Sequence, residues 1–104
     1  MVDELGRWAE PALLVLASLA DGAKHGYAIT LDITQHAGVT LGPGTLYAAL
    51  GRLEERGLIE PLPADGRRRP YRLTSAGAAE LSAQANRMQR LANLSLTRLR
   101  LDLA

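Results

Sequence analysis

The apolar positions of this chain change their period several times, and each change marks an element. Pro11 to Ala20 (PALLVLASLA) is apolar nearly all round and predicts a buried helix, with Pro11 in its first turn and Asp21-Gly22 as its stop. His25 to Ala37 (HGYAITLDITQHA) sets Ala28, Ile29, Ile33 and Ala37 on roughly one side, a second helix that Gly38 ends in left-handed backbone. Thr30, Ile33 and Thr34 are weak helix formers within it. In Leu41 to Gly57 (LGPGTLYAALGRLEERG), Gly42 suits an N-cap, Pro43 the first helical position and Gly57 the stop. Leu46, Ala49, Leu50 and Leu53 recur at i, i+3, i+4 and i+7, the stripe of an amphipathic third helix.

From Leu58 to Thr74 the period becomes two. Leu58, Ile59 and Leu62 flank two prolines, which predicts an edge strand. Asp65-Gly66 is a turn, and Tyr71 and Leu73 alternate with Pro70 and Arg72 on a return strand. Thr74 or Ser75 caps a last helix that runs to Leu103. Ala78, Leu81, Ala85, Met88, Ala92, Ser95, Leu96, Leu99 and Leu103 share one stripe of it, while Leu91, Leu94 and Leu101 lie off that stripe. A helix apolar on more than one side has more to bury than so small a domain can cover, which predicts packing on a partner chain.

Helix, helix, helix, hairpin and long helix make a mainly α (α+β) fold. It is a winged helix-turn-helix with a two-stranded β-hairpin wing and a long C-terminal dimerisation helix. Residues 1–74 are expected to form the DNA-binding part and residues 75–104 the dimerisation helix, as one structural unit. In this arrangement the third helix enters the DNA major groove. Projected round its axis, Gly44, Ala48 and Gly51 lie opposite the leucines, Thr45, Arg52 and Arg56 on one flank, Tyr47 and Glu54 on the other. The groove is about 12 Å wide and barely admits a helix, so small residues on the leading face allow close approach to base edges. Thr45, Tyr47 and Arg52 are placed to reach bases or phosphates, Ala48 a thymine methyl, and the helix start at Pro43 and Gly44 a phosphate. Lys24, His25 and Tyr27 are expected near phosphates, and Arg67, Arg68 and Arg69 at the wing tip are placed to grip the backbone.

Charge sharpens this picture. The net charge of +1 is unevenly spread. Residues 1–41 hold two basic side chains (Arg7, Lys24) against five acidic ones, a net of −3, whereas residues 42–75 and 76–104 each carry +2. Eleven of the 12 cations are arginine, suited to bidentate phosphate and guanine contacts. With no Phe, one Trp and three Tyr, the core of these 104 residues is aliphatic. No cysteine is present, which excludes disulfides and thiolate metal sites. No apolar run reaches the ~20 residues of a membrane span, and MVDELGRW lacks a basic signal-peptide start, so a cytoplasmic protein without membrane contact is expected.

Catalysis is not expected: Ser18, Ser75, Ser82 and Ser95 have no assignable His–Asp partners, and no glycine-rich phosphate loop occurs. His25 and His36 lack metal-ligand spacing with Asp21 or Asp32, so no metal or other cofactor is expected; His25 suits a cap on the second helix and His36 its negative C-terminal end. The competing reading is a winged-helix adaptor that binds only protein. Such an adaptor has no need of the arginine wing, and its third helix would turn apolar residues outward.

LASLADGAKHGYAI (Leu16 to Ile29), GPGTLYAALGRLEERGLIE (Gly42 to Glu60) and RRPYRLTSAGAAEL (Arg68 to Leu81) resemble the PadR family of bacterial transcriptional regulators. The shared marks are His-Gly-Tyr opening the second helix, Pro-Gly-Thr-Leu-Tyr opening the third and Tyr-x-Leu-Thr-x-x-Gly closing the wing. The resemblance implies a winged-helix homodimer, usually a repressor of a palindromic operator, often released by a small aromatic or cationic effector. It also implies the short type, in which the single C-terminal helix and the first helix build the dimer. The expected interface is Trp8, Leu13, Leu81, Met88, Leu91, Leu94, Ser95 and Leu99. Trp8 and Met88 are the candidates to line an effector pocket, though Trp8 serves equally as an anchor of the N-terminal segment and Met88 as core. Gly42 departs from the Ser or similar cap of many relatives, and Gly51 is an unusually flexible residue in mid-helix.

Overall fold

The Leu46, Ala49, Leu50, Leu53 stripe is buried, and the rest of the molecule is arranged around it. The structure, a computed structural model, describes the backbone of residues 2–103 and the side chains of residues 10–100. Its elements in order are α1 (Val2–Leu19), β1 (Lys24–His25), α2 (Gly26–Ala37), α3 (Pro43–Glu55), β2 (Ile59–Pro61), β3 (Pro70–Leu73) and α4 (Ser75–Leu103). Val15, Leu16 and Leu19 of α1 and Ile29 and Ile33 of α2 meet the α3 stripe, with Leu41 and Ile59 closing the ends. The core is aliphatic, as composition requires, and Ala12, Leu14, Val39, Leu58, Tyr71, Leu73 and Leu81 pack on its margin.

The helix boundaries follow local chemistry. Gly38 ends α2 at φ 69°, with its N–H bonded to the Thr34 carbonyl. Gly57 follows α3 at φ 71°. Its N–H donates to the Glu54 carbonyl at 3.0 Å and that of Leu58 to the Leu53 carbonyl at 2.9 Å, a Schellman closure. Pro43 is the first residue of α3 after Gly42, which supplies no side-chain cap.

Three expectations need correction. The first helix begins at Val2, so Pro11 lies inside it rather than in the first turn. A single missing N–H is tolerated where the apolar run after it packs into the core. Lys24 and His25 form β1 rather than loop and helix, so α2 starts at Gly26. The sheet therefore has three strands instead of two, in the order β1-β3-β2 and antiparallel throughout. β2, which ends on Pro61, is an edge strand as expected. The wing turn is closed by reciprocal bonds between Asp65 and Arg68, with Gly66 at φ 64° in the first central position of a two-residue loop.

α4 has its own seat. Thr74 caps it, accepting from the Gly77 N–H at 3.0 Å, and the same hydroxyl donates to the Gly57 carbonyl at 2.7 Å. The Thr74 N–H bonds the Leu58 carbonyl. One residue thus fastens the end of α3, the base of the wing and the start of α4. Gly77 lies against this knot: a Cβ there would stand 3.0 Å from the Leu58 carbonyl carbon, 2.9 Å from Leu73 Cδ1 and closer still to the Leu58 carbonyl oxygen. Leu81 packs on the core margin. From residue 85 to residue 100 every side chain of α4 is exposed, Met88, Leu91, Leu94, Leu96 and Leu99 included. The molecule is elongated as a result, 58 × 27 × 23 Å. No helix among the described residues is long and apolar enough to cross a membrane.

Gly77→Ala is expected to destabilise the fold by about 3 kcal/mol, because backbone rather than a flexible side chain blocks the added methyl. Urea unfolding followed by circular dichroism measures this; an unchanged midpoint would mean that the first turn of α4 is free to shift.

Candidate nucleic-acid interface

Burying one face of α3 turns Pro43, Gly44, Thr45, Tyr47, Ala48, Gly51 and Arg52 outward, and all are exposed. Nothing lies within 4 Å of a Cβ built at Gly44 or Gly51, so neither glycine serves internal packing. The first turn of α3 carries no acid, and Gly42 leaves its N–H groups without a side-chain acceptor.

Two concavities flank this small-residue ridge. On the Tyr47 side lies a cleft of about 330 Å³ lined by His25, Gly26, Tyr27, Tyr47, Arg67, Arg68, Arg69 and Tyr71. It joins the start of α2, the third helix and the wing, and no carboxylate lines it. Tyr27 and Tyr47 are 65% and 59% exposed, so neither is a core residue. The Tyr47 hydroxyl lies 3.1 Å from the position a Cβ of Gly26 would take, so Gly26 allows the phenol to rest on the start of α2. His25 caps α2 through Nδ1, which accepts from the Ala28 N–H at 3.3 Å, and its Nε2 lies 3.4 Å from Arg68 Nη1. On the other flank a groove of about 320 Å³ is lined by Pro11 and Ala12 of α1 and by Gly44, Thr45, Ala48, Ala49 and Arg52.

The wing arginines divide their roles. Arg67 is exposed beside the turn glycine, and Arg68 faces His25. Arg69 Nη1 donates to the Leu62 carbonyl at 3.2 Å and braces the hairpin. Arg72 pairs across the strands with Glu60, its Nε at 2.9 Å from Oε1, so strand alternation turns its charge away from the cleft that Tyr71 lines. Tyr71 is a cleft residue outside the expected contact set, because its alternation marks only a return strand.

Lys24 does not join the others. Its Nζ pairs with Asp21 and the Ser18 carbonyl, and its side chain is 19% exposed, so it ties the α1 end to β1. Nearby, a concavity of about 390 Å³ between α1 and α2 contains Ser18, Asp32 and His36. The buried Ser18 hydroxyl is the leading influence holding the Asp32 carboxyl below the usual aspartate range; Lys24 and His36 add to it and burial opposes. His36 Nδ1 lies 2.9 Å from Asp32 Oδ1. Among the described residues no three His, Cys, Asp or Glu side chains gather as a metal site. Of the expected interface residues, Leu13 is half-buried on α1, Leu81 packs within its own chain, and Met88, Leu91, Leu94, Ser95 and Leu99 line exposed α4. Trp8 lies outside the described side chains.

Comparison with known proteins agrees with this architecture. Residues 15–83 match the transcriptional regulator PadR-like family. An uncharacterised 37.1 kDa protein of transposon TN4556 from Streptomyces fradiae is 51% identical over 85 residues, 82% of this chain; the chain spans only 25% of that protein's length. The transcriptional regulator Rv3488 of Mycobacterium tuberculosis is 42% identical over 83 residues, 77% of each chain. A crystal structure of a PadR family transcriptional regulator from Eggerthella lenta superposes with a TM-score of 0.78 at 30% identity, covering 95% of this chain and 88% of that one.

Gly51→Ala is expected to stabilise the protein by about 1 kcal/mol, since the methyl meets nothing and a mid-helix glycine is conformationally costly. A higher midpoint in urea would show that folding alone does not require glycine there; a lower one would assign Gly51 a structural role.

Proposed function

We propose that this chain, which belongs to the PadR-like family of transcriptional regulators, is a homodimeric repressor that reads a palindromic operator in double-stranded DNA. The observation that carries this reading is the exposed, small-residue face of α3 set beside an arginine-bearing cleft without carboxylates. Gly44, Ala48 and Gly51 let the helix backbone come close to base edges in the major groove. Thr45 and Arg52 take bases or phosphates on one flank. Tyr47, His25, Tyr27, Arg67 and Arg68 take the DNA backbone on the other. Lys24 leaves the contact set, being engaged with Asp21 and Ser18.

The dimer reading rests on α4. Five large apolar side chains exposed over residues 88–99 form a surface that a monomer in water covers poorly. A second copy, paired by two-fold symmetry, covers both faces at once and sets two α3 helices about one DNA turn apart, ~10 base pairs. Residues 1–74 serve as the DNA-binding part and α4 as the dimerisation helix of one structural unit. An aromatic or cationic effector near Trp8 and Met88 is the family's expectation; Met88 is half exposed on α4. An adaptor would show apolar residues on the outer face of α3, and this chain shows glycine, alanine, threonine and arginine there.

Fluorescence-anisotropy titration against the chain's own upstream DNA and a scrambled duplex, at two salt concentrations, tests the reading. Tighter binding to the upstream DNA with a steep salt dependence is expected, and weaker binding by Gly51→Ala despite its greater stability. Binding to neither duplex by a well-folded dimer would favour the adaptor.

A further inference from the structure

The contacts of His25 contain a conflict that the chain does not resolve by itself. A neutral imidazole has one nitrogen able to accept a hydrogen bond. Nδ1 takes that role, because the Ala28 N–H that points at it is held in place by α2. The ring proton is therefore on Nε2. Arg68 Nη1 stands 3.4 Å from Nε2, and a guanidinium has only donors. Two N–H groups face each other, and neither can serve the other. The opposite tautomer only moves the conflict to the Ala28 N–H.

We propose that His25 and Arg68, with the Tyr47 hydroxyl, form a discrete site for one phosphate oxyanion. On the DNA-binding reading, on which this rests, the occupant is a backbone phosphodiester. A phosphate oxygen placed against both donors accepts from Nε2–H and Nη1–H together and turns an unfavourable contact into two charge-assisted hydrogen bonds. Tyr47 lines the same cleft and supplies a third donor from the third helix. Gly26 is what allows its ring to lie so close to the start of α2. The site thus links the helix that enters the groove, the helix behind it and the wing to a single anion, which fixes the register of all three on the duplex.

The test has two arms, both on the full chain at pH 8. In the first, inorganic phosphate is titrated at constant ionic strength while long-range proton–nitrogen NMR follows the His25 ring. The Nε2–H tautomer and saturable shifts at His25, Arg68 and Tyr47 are expected. An Nδ1–H tautomer, or shifts no larger than chloride produces, would overturn the site. The second arm measures binding of an unrelated duplex by His25→Ser, which keeps an N-cap acceptor, and by Arg68→Gln. His25→Ser is expected to lose about tenfold in affinity, the effect of one lost donor to the phosphate. Arg68→Gln is expected to flatten the salt slope by about one. The double variant is expected to lose less than the product of the single losses, because the two donors share one acceptor. Wild-type affinity in His25→Ser, or fully multiplicative losses, would sink the shared site while leaving DNA binding intact. If the wild type binds phosphate at these residues and no duplex, the oxyanion site stands and the DNA reading falls.

Discussion

Everything outward on this protein follows from what α3 must hide. Its four buried residues occupy one narrow arc, and α1 and α2 supply the aliphatic side chains that cover it. With no phenylalanine to fill the core, α3 must lie close to both neighbours, and this leaves it little freedom to rotate. Rotation by a quarter turn would expose Leu46 or Leu50 and bury Arg52 or Tyr47, each change costing on the order of 2 kcal/mol or more. The opposite arc is thereby presented to solvent with almost no side-chain bulk. A helix interior normally favours alanine over glycine, so a smooth arc that includes Gly51 is kept at some cost in helix stability.

The second determinant is how the small sheet sorts its charges. Strand alternation gives Tyr71 to the cleft and Arg72 to Glu60 on the other face. Arg69 is spent on the Leu62 carbonyl, which stiffens the hairpin, and Arg67 and Arg68 remain at its outer end. The cation count of the wing is therefore a poor guide to its field. Position along the strand decides which arginine braces, which pairs and which faces the cleft. The knot at Thr74, Gly57 and Gly77 then holds the wing at a set angle to α3, so the two surfaces form one concave face.

Much of this could be read from the residues. The stripe of α3, its glycine stop, the left-handed glycines at 38 and 66 and the edge character of β2 are local signals, and local chemistry decides them. What escaped depends on contacts that only the folded chain brings together. Lys24 and His25 carry no strand pattern, because a two-residue strand exists only through its pairing with Tyr71 and Pro70. Pro11 reads as a helix start, yet packing further along carries the helix through it. Lys24 reads as a phosphate contact until the turn brings Asp21 and the Ser18 carbonyl to it. The site is legible in the same way: small residues, arginines and tyrosines announce their chemistry, whereas the facing donors of His25 and Arg68, 43 residues apart, exist only in the folded chain.

The central claim is that α3 enters the major groove, and dimethyl sulfate protection of a bound operator tests it most directly. Guanine N7 opens on the major groove and adenine N3 on the minor groove. Docking of α3 predicts N7 protection in two half-sites about ten base pairs apart. A bound duplex with N7 fully reactive, or protected only at adenine N3, would contradict it.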